Sequence, residues 1–127
     1  MDKAVLVNAE LEQGMKLLDA LDRARVKVSV ALWAHLAEYG DWRLVVSARQ
    51  FDALDRVKAY RLINDKLTAA GFTVERTPPI MIVRMSDKFI KELRRTFAKA
   101  KSVEGMRLGG QLIGDRFVED AYVYRIS

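Results

Sequence analysis

The spacing of apolar residues predicts an α+β fold, about three helices on a mostly antiparallel sheet of about five strands, as two layers or a sandwich, in the order α-β-β-α-β-α-β-β. Apolar positions recur every three to four residues in three stretches and alternate with polar ones in others, and short runs of turn formers separate the two patterns. At 127 residues the chain fits one domain, residues 1–127, with half of its residues hydrophobic and 31% charged. That is enough apolar surface to offset the entropy of ordering the chain.

Asn8 is placed to cap a first helix with apolar positions Leu11, Met15, Leu18 and Leu21, mildly weakened by Gly14. Val26 to Val30 then alternates at the strand period, and the strand continues through Leu36. Glu38 to Asp41 breaks the pattern, and Trp42 to Val46 resumes it, which predicts a hairpin with a tight turn on Tyr39 and Gly40. That register sets Ala37 opposite Trp42 and Trp33 opposite Val46. One face then carries Trp33, His35, Trp42, Leu44 and Val46, and the other Val30, Leu32, Leu36 and Val45 among Arg43, Ser47 and Arg49. Neither face reads as solvated. Helices of the chain are expected on one face, with a subunit contact at Trp33 and Trp42 and hence a homo-oligomer.

A second helix opens at Asp52 or Asp55, with a stripe of Leu54, Val57, Ile63, Leu67 and Ala70, Tyr60 at its margin and a stop at Gly71-Phe72. Thr77-Pro78-Pro79 forbids regular structure, and Ile80 to Met85 reads as a central strand. Ser86 or Asp87 caps a third helix, Asp87 to about Ala100. There Phe89, Ile90, Leu93 and Phe97 share one arc, and Lys88, Lys91, Arg95 and Lys99 lie opposite, with Arg94 and Lys101 at the apolar edge. Residues 106 to 113 read as a glycine-weakened strand or irregular connection, and Ala121 to Ile126 as a terminal strand.

Ala31-Leu32-Trp33, Gly40 to Val45, Ala59-Tyr60-Arg61 and Asp120 to Ile126 resemble segments of a loosely defined group of small uncharacterised bacterial proteins with no known activity. The resemblance implies a bacterial origin and carries over no functional residue.

The chain has no cysteine, which removes disulfides, thiolate metal sites and cysteine nucleophiles and suits a reducing compartment, so a cytoplasmic protein is expected. The start, Met1 to Val7, is unlike a signal peptide, and no apolar stretch approaches the ~20 residues of a membrane span, so no membrane association is expected. With only His35, a metal site would have to be carboxylate-rich. Asp115, Glu119 and Asp120, after Gly114, read better as turn chemistry, Asp41 as a turn residue, and His35 as a hydrogen-bonded structural histidine. Neither a phosphate-cradling loop nor a dinucleotide fingerprint is present, and no metal or cofactor is expected.

Charge is the remaining signal. The net charge is +5, and residues 84 to 101 alone hold seven basic and two acidic side chains. Lys88, Lys91, Arg94, Arg95 and Lys99 are therefore the candidate contacts to nucleic acid or an acidic protein. Arg43, Arg84 and Arg125, on predicted strands, form a candidate anion site. The expected function is a non-catalytic bacterial binding or assembly module acting through its basic helix. The alternatives are a small enzyme using carboxylates and strand arginines on a phosphate-containing substrate, or a purely protein-binding subunit exposing apolar surface near Trp33 or Trp42.

Overall fold

The structure, a computed structural model, describes residues 6–127. Met1 to Val5, part of the start read above as unlike a signal peptide, lie outside the described residues. The elements are α1 (Asn8–Arg23), β1 (Val30–Leu36), β2 (Trp42–Ser47), the single turn α2 (Arg49–Asp52), α3 (Arg56–Ala69), β3 (Ile80–Ile82), α4 (Lys88–Phe97), β4 (Arg107–Leu108), β5 (Gln111–Ile113) and β6 (Arg116–Ile126). The α+β class is as expected, but the mixed sheet has six strands rather than five, in the order β3-β2-β1-β6-β4, with β5 also on β6. None of the described helices is long and apolar enough to cross a membrane.

All seven residues of β1 are buried because it lies mid-sheet and both its faces are covered. Leu17, Leu18 and Leu21 of α1, Phe51 of α2, and Ala59, Ile63 and Leu67 of α3 pack with Trp33, Trp42, Leu44 and Val46. On the opposite face Phe89, Ile90 and Leu93 of α4 pack with Val30, Leu32, Leu36 and Val45. The architecture is thus helices, sheet, helix. The chain itself covers both faces, where a subunit contact was expected over one. Trp33 and Trp42, 1% and 7% exposed, are core residues packed beneath these helices.

The hairpin register differs from expectation by two residues. Trp33 pairs with Leu44 and His35 with Trp42, so residues 37–41 form a five-residue connection instead of a tight turn. The Leu36 carbonyl accepts from both Tyr39 and Gly40, a helix-like turn that consumes the extra length. A shift of two preserves every side chain's face, which is why the two-face reading survived it.

Several boundaries also move. Asn8 is the first helical residue of α1, and Glu10 reaches back to accept from the Val7 N–H at 3.2 Å. Asp55 caps α3 by accepting from Lys58 N at 2.9 Å, and Val57 and Ala70 face solvent, leaving Ala59, Ile63 and Leu67 as the buried stripe. Gly71 adopts φ +94° and ends the helix, with the Phe72 N–H returning to the Leu67 carbonyl. The expected central strand at Ile80 is a three-residue edge strand, parallel to β2. A parallel partner requires a crossover, which α3 provides. The last strand begins at Arg116, five residues earlier than expected.

Two register shifts in β1–β6 place Glu119 and Tyr124 as extra residues. A bulge lets consecutive side chains share one face. Arg125 and Tyr124 accordingly both reach α1. Arg125 forks onto Asp22 at 2.8 and 3.0 Å, and the Tyr124 hydroxyl donates to the Leu11 carbonyl at 2.6 Å while accepting from Trp33 Nε1 at 3.1 Å. Burial pushes the Tyr124 phenol up to about 12.

The Arg125 hydrogen bond lowers the Asp22 carboxyl below its ordinary 3.8. The stabilisation from this pair is complete above that ordinary value and disappears as pH falls through the lowered one. Both side chains are over a third exposed, so solvent screening limits the effect. Asp22→Asn is expected to cost under about 1 kcal/mol at neutral pH and to flatten the acid limb of stability below about pH 4, measured by urea unfolding across pH.

Candidate functional site: a basic helix face and an arginine-lined cleft

Helix α4 starts where Asp87 accepts from Phe89 N at 2.9 Å and the Asp87 carbonyl receives the Lys91 N–H. With Phe89, Ile90 and Leu93 held in the core, the helical period turns Lys88, Lys91 and Arg95 outward, and all three are exposed. The five expected contact residues are not equivalent. Arg95 is forked onto Glu92 at 2.6 and 2.7 Å, so one carboxylate neutralises it. That hydrogen bond holds the Arg95 guanidinium above its ordinary value. Arg94 is half-buried and donates to the Ser127 carbonyl at 2.9 Å. Lys99 lies in the turn after Phe97, because the helix ends three residues before Ala100. Lys88 and Lys91 remain on the helix, exposed, with no ion pair among the described residues.

The basic surface continues past the helix. Arg94 lines a shallow basin of about 550 Å³ with Lys27, Arg49 and Gln50, so cations from three separate stretches of chain meet there. Composition revealed the charge of α4 but not this basin, since its residues are dispersed in the sequence.

The three arginines expected on strands part company, and Arg84 itself lies just past the end of β3. Arg125 is committed to Asp22 and to the Val28 carbonyl, far from the other two in the register of β6. Arg43 and Arg84, by contrast, line one cleft of about 390 Å³ along β3, and Arg56 and Arg116 join them there. Neither addition was legible: Arg56 opens a helix, and Arg116 belongs to the part of β6 that the glycines at 109, 110 and 114 disguised. Phe51, Ile80 and Val83 contribute apolar lining, Tyr39 and Tyr60 aromatic walls, and Asp52 and Asp87 the carboxylates.

Each polar group in the cleft has a definable state. The Tyr60 hydroxyl accepts the Ile82 N–H at 2.9 Å, satisfying part of the outer edge of β3. Asp52 accepts from Met85 N through both oxygens at 3.2 Å, and Asp87 is the α4 cap. Arg43 pairs with Asp41 at 3.0 Å and lies 3.8 Å over the Tyr39 ring. Arg116 pairs with Glu38 and lies 3.8 Å from Asp87. Burial alone would lower its guanidinium, but the Tyr39 hydroxyl and Glu38 outweigh this and hold it above its ordinary value. Arg84 donates to the Asp52 carbonyl at 3.2 Å and Arg56 lies 6.0 Å from the Tyr60 ring centroid, and neither has an ion pair among the described residues.

The acidic cluster expected in one turn is divided. Asp115 is in the β5–β6 turn, but Glu119 and Asp120 are strand residues. Asp120 pairs with Arg107 at 2.8 Å, and Glu119 lies 3.3 Å from His35 Nδ1. His35 is buried, edge-on to Trp42 with centroids 5.4 Å apart. No group of three or more His, Cys, Asp or Glu among the described residues is arranged to hold a metal ion. Tyr122 and Tyr124 pack edge-to-face at 5.3 Å with Tyr124 buried, so they offer no exposed platform for stacked bases.

No family model, curated protein or solved structure matches the chain, so the functional reading rests on this geometry.

Proposed function

We propose that the protein is a cytoplasmic, non-catalytic binding module whose α4 face contacts the phosphate backbone of a nucleic acid without reading its sequence. The observation that carries this is the pair Lys88 and Lys91, one helical turn apart, exposed and without a carboxylate partner among the described residues. Lys99 and the basin of Lys27, Arg49 and Arg94 extend the positive surface beyond the helix. Cations so arranged displace condensed counterions from a phosphate chain, which favours association most at low salt. The Tyr122–Tyr124 pair offers no exposed stacking platform, since Tyr124 is buried, so the interaction is read as one of charge rather than base stacking.

The homo-oligomer expectation rested on an uncovered sheet face around Trp33 and Trp42, which α1, α2 and α3 cover, so this reading includes no second copy. The enzyme alternative needs a carboxylate available for proton transfer or for a metal. Asp52 and Asp87 instead bind backbone N–H groups, and Asp41 pairs with Arg43, which favours binding over catalysis.

The test is fluorescence anisotropy with a labelled DNA duplex and an RNA strand across a salt series. Lys88→Gln with Lys91→Gln is expected to weaken binding about tenfold or more at low salt and to reduce the salt slope by roughly 1 to 2. Arg95→Gln is expected to have a smaller effect, since Glu92 already offsets that charge. Binding unaffected by the lysine pair would remove the proposal.

A further inference from the structure

The geometry points to the cleft along β3 as a binding site for a small phosphate-bearing molecule, held by the guanidinium groups of Arg56 and Arg84. This inference is independent of the α4 reading, because neither Lys88 nor Lys91 lines the cleft.

The pairing of charges inside the cleft is the first reason. Four arginines and two aspartates line it; the aspartates accept from backbone N–H groups, and Asp87 also lies 3.8 Å from Arg116. Glu38 and Asp41 pair with Arg116 and Arg43. The guanidinium groups of Arg56 and Arg84 have no ion pair among the described residues. A phosphate monoester carries about −1.5 to −2 at neutral pH, a charge that two such guanidinium groups can meet. Guanidinium groups also present paired N–H donors at the spacing of two phosphate oxygens, so the chemistry suits this anion better than a halide or a single point charge.

Shape is the second reason. A volume of about 390 Å³ lies within the ordinary range for small-molecule sites, ~300–1,000 Å³. Phe51, Ile80 and Val83 offer apolar surface between the two tyrosines, so the ligand has an apolar or flat portion besides its phosphate. The cleft is also held in place. Tyr60 ties α3 to β3, Asp52 ties α2 to the chain just after β3, and the Arg84 guanidinium touches the Asp52 carbonyl. Binding therefore has little ordering entropy to offset. Helices α3 and α4 both begin at the rim, and their N-terminal dipoles add to the positive potential there.

The experiment is a titration of the full chain with phenyl phosphate, inorganic phosphate and phenol, followed by amide NMR shifts and calorimetry. Phenyl phosphate is expected to bind saturably with shifts centred on residues 51–60 and 80–87, inorganic phosphate more weakly at the same amides, and phenol without saturation. Arg56→Gln and Arg84→Gln are each expected to weaken phenyl phosphate about tenfold, and Arg84→Lys by less, since it keeps charge but loses the fork. Both positions are exposed, and circular dichroism will verify that the variants fold. Lys88→Gln with Lys91→Gln is expected to leave this affinity within about twofold, which separates the cleft from the α4 face. The inference is overturned by absence of saturable shifts at millimolar phenyl phosphate, by shifts centred on α4 instead, or by folded arginine variants that bind as tightly as the parent.

Discussion

Phe89→Ala is expected to destabilise the protein by about 3–5 kcal/mol, a large share of the ~5–15 kcal/mol typical of a domain. Phe89 is fully buried on α4, the helix on the second sheet face, in one core cluster with Leu32, Val45, Ile113 and Val118. Removing the ring deletes its transfer free energy and leaves a void that the rigid sheet cannot close. Loosening α4 would also uncover the apolar positions of β1 and β2, so binding of a hydrophobic dye should rise together with the loss of stability. Urea unfolding with m-value analysis checks this. A loss below about 1 kcal/mol would mean that α4 does not cover this face as described.

Gly14→Ala tests the other face, and here two principles oppose each other. In an exposed helix the substitution would stabilise by about 1 kcal/mol. At Gly14 the added Cβ would lie 2.4 Å from the Tyr124 hydroxyl oxygen and 2.9 Å from Trp33 Nε1. Both rings are fixed, since Tyr124 bonds the Leu11 carbonyl one turn earlier on α1 and Trp33 bonds Tyr124. Overpacking therefore wins, with a net loss of about 2 kcal/mol and a melting temperature lower by roughly 5–10 °C. Tyr124→Phe alone should cost about 1–3 kcal/mol by leaving Trp33 Nε1 without its acceptor. Combined with Gly14→Ala it should cost at least about 1 kcal/mol less than the sum, because it removes the nearest clashing atom. A stabilising Gly14→Ala would refute the close approach.

Gly14 also shows the limit of reading helices locally. From the sequence it is a mild flaw in an amphipathic stretch, but it permits helix–sheet contact with two aromatic rings from strands more than a dozen residues away. The same limit applies to the sites. The basic face of α4 was legible because its cations and anchors belong to one period of 3.6 residues. The cleft is legible only in part: the sequence places Arg43 and Arg84 on strands, but their grouping with Arg56 and Arg116, and the exclusion of Arg125, depend on a parallel edge pairing and on bulges that leave no local signal.

Local pattern by itself determined the α+β class, the two apolar faces of the β1–β2 hairpin, a helix cap at Ser86 or Asp87 and the basic outer face of α4, since each depends on neighbours within a few residues. Tertiary structure decided the strand order, the parallel placement of β3, the burial of Trp33 and Trp42 beneath the chain's own helices, and which charges remain unpaired. These depend on which distant segments meet, and a pattern of 2 or 3.6 residues states which side of an element is apolar without stating what will cover it.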